Sequence, residues 1–168
     1  MESELRLEIL REEETGLLFE MITEMAEYER LTDMVVGTSE ILRESIFERK
    51  AARALLARVG GEVVGYALWC YNFSSFECKP GLYLEDIFIR PAHRRKGYGE
   101  AILRHLAALA VQEDCARMEW VVLDWNQPAI DFYAKMGAEM LQEWRINRLS
   151  GDTLRDAGKG AHSRTNAL

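Results

Sequence analysis

Apolar and polar positions alternate with two different periods along the chain, and these periods divide it into elements. LRLEIL, residues 5–10, reads as a first strand. Over residues 15–30 the apolar side chains Leu18, Met21, Ile22 and Met25 form a helical stripe. Ser39 is placed to cap a second helix, SEILRESIF, with Ile41, Leu42, Ile46 and Phe47 on one side. ALLARV and EVVGYALWCYNF flank Gly60-Gly61 and predict a β-hairpin, followed by a loop over residues 73–81. LYLEDIFI, residues 82–89, predicts a strand. Residues 97–112 predict a helix that buries Ile102, Leu103, Leu106, Leu109 and Ala110. RMEWVVL, residues 117–123, predicts another strand, and residues 128–136 a short helix with Asn126 in place to cap it. The last strands are expected over 137–149. The tail, 151–168, is polar and contains glycine, so it is expected to be flexible. There is no internal repeat or interdomain linker, so one domain is expected over residues 4–150. The strands pair first as a hairpin and later alternate with helices, which predicts a mixed α/β class.

LYLEDIFI is apolar on both faces, with Tyr83, Ile87 and Ile89 expected on one and Leu82, Leu84 and Phe88 on the other. Such a strand belongs inside a sheet. Glu85 and Asp86 interrupt it, one aimed at each face. Burying a carboxylate is costly unless it is paired or meets water. These two are either structural groups satisfied by local hydrogen bonds or parts of a site.

Composition narrows the function. The chain has 168 residues and a net charge of -7, with 48% hydrophobic and 29% charged residues. An acidic chain without a basic, aromatic-interleaved face is not expected to bind nucleic acid. Cys70, Cys78 and Cys115 are odd in number and form no CxxC pair, which fits free thiols in a reducing compartment. His93, His105 and His162 are scattered, so no metal is expected. MESELRLEIL is acidic and lacks the apolar core of a signal peptide. The longest uncharged stretch, residues 63–76, is too short and polar to span a bilayer. A cytoplasmic protein without membrane partners is expected.

Against this acidic background RPAHRRKGYGEAI, residues 90–102, concentrates positive charge just before a helix. A helix N-terminus leaves backbone amides unpaired and carries partial positive charge. Gly97 and Gly99 allow an anion to approach the backbone. Arg94, Arg95 and Lys96 add charge. A buried strand, a basic turn, Gly-x-Gly and an amphipathic helix in that order describe a phosphate cradle. The turn has neither the GxxxxGK[ST] of a P-loop nor the GxGxxG of a dinucleotide fold.

Arg94-x-x-Gly97-x-Gly99 resembles the [QR]xxGx[GA] signature of the GNAT acetyltransferase superfamily. AEYERLTD (26–33), LYLEDIFI, RRKGYG and VLDWNQPAIDFYAKMGA (122–138) resemble its diamine and thialysine acetyltransferase branch. The resemblance implies a GNAT acyl-CoA N-acyltransferase fold, a mixed central sheet flanked by helices. It implies that amides from Arg95 to Glu100, Tyr98 among them, hold the pyrophosphate of acetyl-CoA. It also implies that backbone groups of Ile87, Phe88 and Ile89 pair with the pantetheine arm as an added strand would.

Asn126 and Tyr133 are seven residues apart, close to two helical turns. By pattern Tyr133 is a core residue, in a stripe with Ala129, Phe132 and Met136. The resemblance instead implies that Asn126 and Tyr133 face acetyl-CoA, with Tyr133 as proton donor to the leaving thiolate. Direct attack by an amine also needs a proton acceptor, because alkylammonium groups have a pKa near ~10. Glu85 is the candidate, with Asp86 or water as alternatives. The cysteines lack a His/Asp framework, so a cysteine nucleophile is not expected.

Tyr28, Glu29 and Glu143, with Glu85, match acceptor-site positions of the branch. Taken singly, Glu29 and Glu143 also read as ordinary surface acids. Ser74 and Phe76 stand where polyamine-acetylating members carry an acidic residue and a tryptophan. The acceptor implied is therefore a small cationic primary amine, thialysine or a lysine-like amino acid ahead of a polyamine. The competing expectations are a protein or peptide acetyltransferase and a non-catalytic acyl-CoA-binding module. The resemblance further implies a homodimer.

Overall fold

The Gly60-Gly61 turn organises the sheet. Both glycines have positive φ, 59° and 86°, and Val59 pairs directly with Glu62. A two-residue loop with φ positive at both positions matches the right-handed twist of the strands it joins. The computed structural model describes residues 4–159; of the tail, residues 160–168, His162 among them, lie outside them. The elements are β1 (Leu5–Ile9), α1 (Thr15–Glu29), α2 (Ser39–Arg43), β2 (Arg53–Val59), β3 (Glu62–Ser74), β4 (Lys79–Ile89), α3 (Tyr98–Gln112), β5 (Arg117–Glu119), α4 (Gln127–Lys135) and α5 (Gly151–Gly158). The sheet runs β1-β2-β3-β4-β5. Its first four strands are antiparallel neighbours, and β5 joins β4 in parallel. The described residues fall into two compact units, divided between Asn126 and Gln127.

In the first unit, one face of the sheet carries a core of Leu56, Tyr66, Leu68 and Phe88 under Leu18 and Met21 of α1 and Ile46. The other face holds α3 against β4, with Ile102, Leu103, Leu106 and Ala110 buried. The two faces exchange along β4. Phe88 pairs with Tyr66 and Asp86 with Leu68, but Leu84 pairs with Trp69. Glu85 is therefore an extra residue, a β-bulge, and one extra residue inverts the alternation. Leu84 and Leu82 consequently stand on the face opposite Phe88, which corrects the grouping of these three expected from strict period two.

Other boundaries differ for local reasons. Thr38, not Ser39, caps α2: its Oγ1 accepts from the Ile41 amide at 3.2 Å. The helix then widens into a π turn over Glu44–Glu48. β3 and β4 extend into the expected loop and leave a tip of four residues between them. β5 has three residues rather than seven.

In the second unit no strand forms over residues 137–149 among the described residues, against expectation. A period-two pattern makes a strand only where a neighbouring edge takes its amides. Here Trp144 and Ile146 stay exposed. The start of the tail is helical as α5, not irregular. Among the described residues no helix is long and apolar enough to cross a membrane.

Candidate active site

The basic turn is built by three backbone states. Pro91–His93 form one 3-10 turn, Arg95 is left-handed with φ 61°, and Gly97 caps α3 with φ 81°. A Cβ on Gly97 would meet nothing within 4 Å, so the glycine is required by its φ and not by space. The first intrahelical bond of α3 runs from the Ala101 amide to the Gly97 carbonyl at 3.0 Å. The amides of Tyr98, Gly99 and Glu100 precede it and open the helix without an intrahelical partner. Arg95 and Lys96 are exposed beside them, while Glu100 is engaged with Arg104 at 2.9 Å.

Arg94 points elsewhere. Its Nε donates to the Ile89 carbonyl at 2.9 Å. Its guanidinium lies 4.0 Å from the Tyr28 ring centroid and 5.7 Å from that of Phe88. It ties the turn to the C-terminal end of α1 and is not the mobile charge suggested by the basic run.

β4 offers an edge. Ile87, Phe88 and Ile89 pair with Ala67, Tyr66 and Gly65 on the β3 side. On the other side β5 pairs only with Gly81, Leu82 and Tyr83. Beyond that point the backbone of β4 has no strand partner on its β5 side among the described residues.

The bulge gathers acids. Asp86 is half-buried, and its Oδ2 accepts from the Tyr66 hydroxyl at 3.4 Å. That hydroxyl is equally 3.4 Å from Met25 Sδ. Burial pushes the Asp86 carboxyl up to about 7, with Glu85 and Glu29 adding to the rise and the Tyr66 hydrogen bond opposing it. Burial also raises Glu29. Tyr66 is raised well above the ordinary phenol value, by burial first and then by Asp86. Glu85 itself is exposed at the bulge. Among the described residues none of Glu29, Glu85 and Asp86 forms an ion pair with Arg, Lys or His. A carboxyl near 7 populates both protonation states at neutral pH, the range suited to proton transfer. The thiols contrast with it: burial raises Cys70, aided by Glu85, and likewise Cys115, away from thiolate character.

The remaining candidates sit as follows. Tyr28 is 40% exposed and Asn126 is buried, its amide bonded to the Leu123 carbonyl at 2.9 Å. In the second unit Tyr133 is half-buried on α4, its ring 5.2 Å from that of Phe132. Glu143 is exposed there. The first unit thus brings Glu29, Glu85 and Asp86 together, so Asp86 joins the expected acids. Sequence reasoning passed over Tyr66. Its signal was a hydroxyl within the buried run VVGYALW, facing a strand with carboxylates.

The profile of the acetyltransferase (GNAT) family matches residues 17–138. Thialysine N-epsilon-acetyltransferase of Bos taurus is 35% identical over 162 residues, covering 89% of this chain and 95% of that protein. L-ornithine N5-acetyltransferase of Arabidopsis thaliana is 47% identical over 97 residues, 58% of this chain. That alignment spans only 42% of the Arabidopsis protein, so the chain corresponds to less than half of its length. Among solved structures, an integron cassette protein from the mobile metagenome of V. cholerae shares the fold. It has a TM-score of 0.78 at 23% identity, covering 92% of this chain and 98% of that one. With a family match over most of its length and a relative aligned nearly end to end, this chain is a member of the GNAT acetyltransferase family.

Proposed function

We propose that the protein transfers the acetyl group of acetyl-CoA to a primary amine of a small cationic molecule, of the thialysine, ornithine or lysine class. The observation that carries this reading is the unpaired acidic group Glu29, Glu85 and Asp86 at the β4 bulge. Three carboxylates without a cationic partner among the described residues suit a substrate that brings its own positive charge. The names of the relatives in thialysine and ornithine acetylation point the same way.

In this reading the amides at the start of α3, with Arg95 and Lys96, hold the pyrophosphate, and the free edge of β4 at Ile87, Phe88 and Ile89 holds the pantetheine arm. The ammonium of the acceptor gives its proton to a carboxylate of the cluster, Asp86 being the one tuned for neutral pH and Glu85 the alternative. The neutral amine attacks the thioester carbonyl carbon, a C–N bond forms as the C–S bond breaks, and the acylated nitrogen gives up its extra proton to water, from which the Tyr133 phenolate is afterwards reprotonated. The CoA sulfur leaves as thiolate and takes a proton from Tyr133. Asn126 orients acetyl-CoA, and Tyr28 and Glu143 contribute to acceptor recognition. We further propose a homodimer, which light scattering would test.

The experiment is incubation with acetyl-CoA and thialysine, lysine, ornithine, putrescine, spermidine and an N-terminal peptide, reading free thiol release as kcat/KM. Preference for an amino-acid amine is expected. Preference for the peptide would overturn the small-amine reading, and binding of CoA with no turnover of any amine would leave an acyl-CoA-binding module.

A further inference from the structure

Tyr66 is 0% exposed, in a cluster made otherwise of Leu10, Leu18, Met21, Ile46, Ala54, Leu56, Val63, Leu68 and Phe88. Phenylalanine would fill that volume without a polar atom. A buried hydroxyl left unbonded is destabilising, so its partners define its role. Among the described residues two acceptors are near it, Asp86 Oδ2 and Met25 Sδ, each at 3.4 Å. A phenol has one proton, and a thioether is a weak acceptor. Once Asp86 is ionised, the carboxylate is the stronger claimant.

The register makes this contact intrinsic to the sheet. Tyr66 pairs with Phe88, and Leu68 with Asp86, so Tyr66 and Asp86 are diagonal neighbours on one face. The other groups around Asp86 act against its charge. Glu85 on β4 and Glu29 on α1 both disfavour ionisation, and burial does so most. The guanidinium of Arg94, near Phe88 on the same face, is engaged by the Ile89 carbonyl and the Tyr28 ring. Tyr66 is the group that opposes the rise.

We infer that Tyr66 is a positioning residue of the acceptor site: its buried phenol donates one hydrogen bond to Asp86 Oδ2 and fixes the carboxylate at the bulge. The inference rests on the reading that Asp86 meets the acceptor amine. Its consequence has a definite sign. Without the hydroxyl, Asp86 loses its one stabilising donor among the described residues and protonates at higher pH. The protonated form neither attracts an ammonium nor accepts its proton, so activity at the acid side is lost first.

The test is the pH profile of kcat/KM for the best amine, measured with Tyr66→Phe, Asp86→Asn, the double variant and Met25→Leu. Tyr66→Phe is expected to move the acid limb to higher pH. Below the limb, kcat/KM should then fall about tenfold for every pH unit by which the limb has moved. Parent-like rates should return at alkaline pH. The double variant is expected to match Asp86→Asn, because the hydroxyl acts only through that carboxyl. Met25→Leu removes the competing acceptor, so its limb should stay in place or move to lower pH. An acid limb in Tyr66→Phe superimposable on that of the parent would overturn the inference, as would a displacement to higher pH in Met25→Leu. If Asp86→Asn itself keeps parent activity and profile, the reading of Asp86 as the acceptor-side group fails instead.

Discussion

Asp86 is held in a state that costs the fold stability, and the sign follows from its titration. Its carboxyl titrates near 3.8 in the unfolded chain and at about 7 in the folded one. The folded state therefore binds the proton more tightly. Stability associated with this group is intact below about pH 4, and is lost as pH rises toward 7. Asp86→Asn removes the titration, so the variant should melt higher than the parent at pH 8, with the gain shrinking toward pH 4. Each kcal/mol recovered would raise Tm by about 2–4 °C in a chain of this size. A Tm difference independent of pH across that window would show that Asp86 is not the titrating group. Tyr133 is tested by losing one oxygen. Tyr133→Phe should keep the fold and lower kcat on the order of 10²-fold if the phenol protonates the thiolate, and an unchanged kcat would return it to the core role its stripe suggests. Glu85 and Asp86 were conspicuous in the sequence as paired acids in an apolar strand. Which of them is buried against α1 was not legible, because that depends on an insertion in the strand pairing and on a tyrosine contributed by β3.

At the scale of elements, the glycine turn is set by backbone conformation. Gly97 occupies a φ of 81° with open space around a virtual Cβ. Gly97→Ala therefore meets no clash and costs roughly 1–2 kcal/mol of backbone strain, and a β-branched residue costs more. Gly97→Val should lower Tm and weaken CoA binding, because the turn that aims the first amides of α3 relaxes out of the left-handed region. Calorimetry showing parent affinity for CoA in a folded Gly97→Val protein would place the pyrophosphate elsewhere. The order of elements was readable because each rests on local signals: the Gly60-Gly61 turn, the stripes of α1 and α3, the glycine before α3. What escaped reading depends on neighbours. Thr38, in extended backbone at φ -131° and ψ 162°, takes the cap from Ser39, β5 stops where its pairing with β4 stops, and 137–149 has strand-like alternation without a paired edge in the described chain.

For the whole molecule the proposed reaction raises the question of how an acidic protein would handle two substrates of opposite charge. Asp and Glu exceed Lys and Arg, 28 to 21, so the average field repels CoA and attracts an amine. In the proposed reading the basic turn would answer the first problem locally, with Arg95 and Lys96 exposed beside helix amides whose positive end does not depend on side-chain placement. The acids at the bulge, without an ion-pair partner among the described residues, would serve the second together with the overall charge. Raising salt from about 0.1 M to about 1 M shortens the Debye length from about 10 Å to about 3 Å. The long-range part of the attraction then disappears, while contacts within the site persist. kcat/KM for a dicationic amine should fall several-fold over that range and that for a monocationic amine less, with kcat at saturation nearly unchanged. Steady-state kinetics at fixed, saturating acetyl-CoA would measure this. Equal salt dependence for the two amines would mean that net charge does not steer the acceptor and that the carboxylates act only after the amine has arrived.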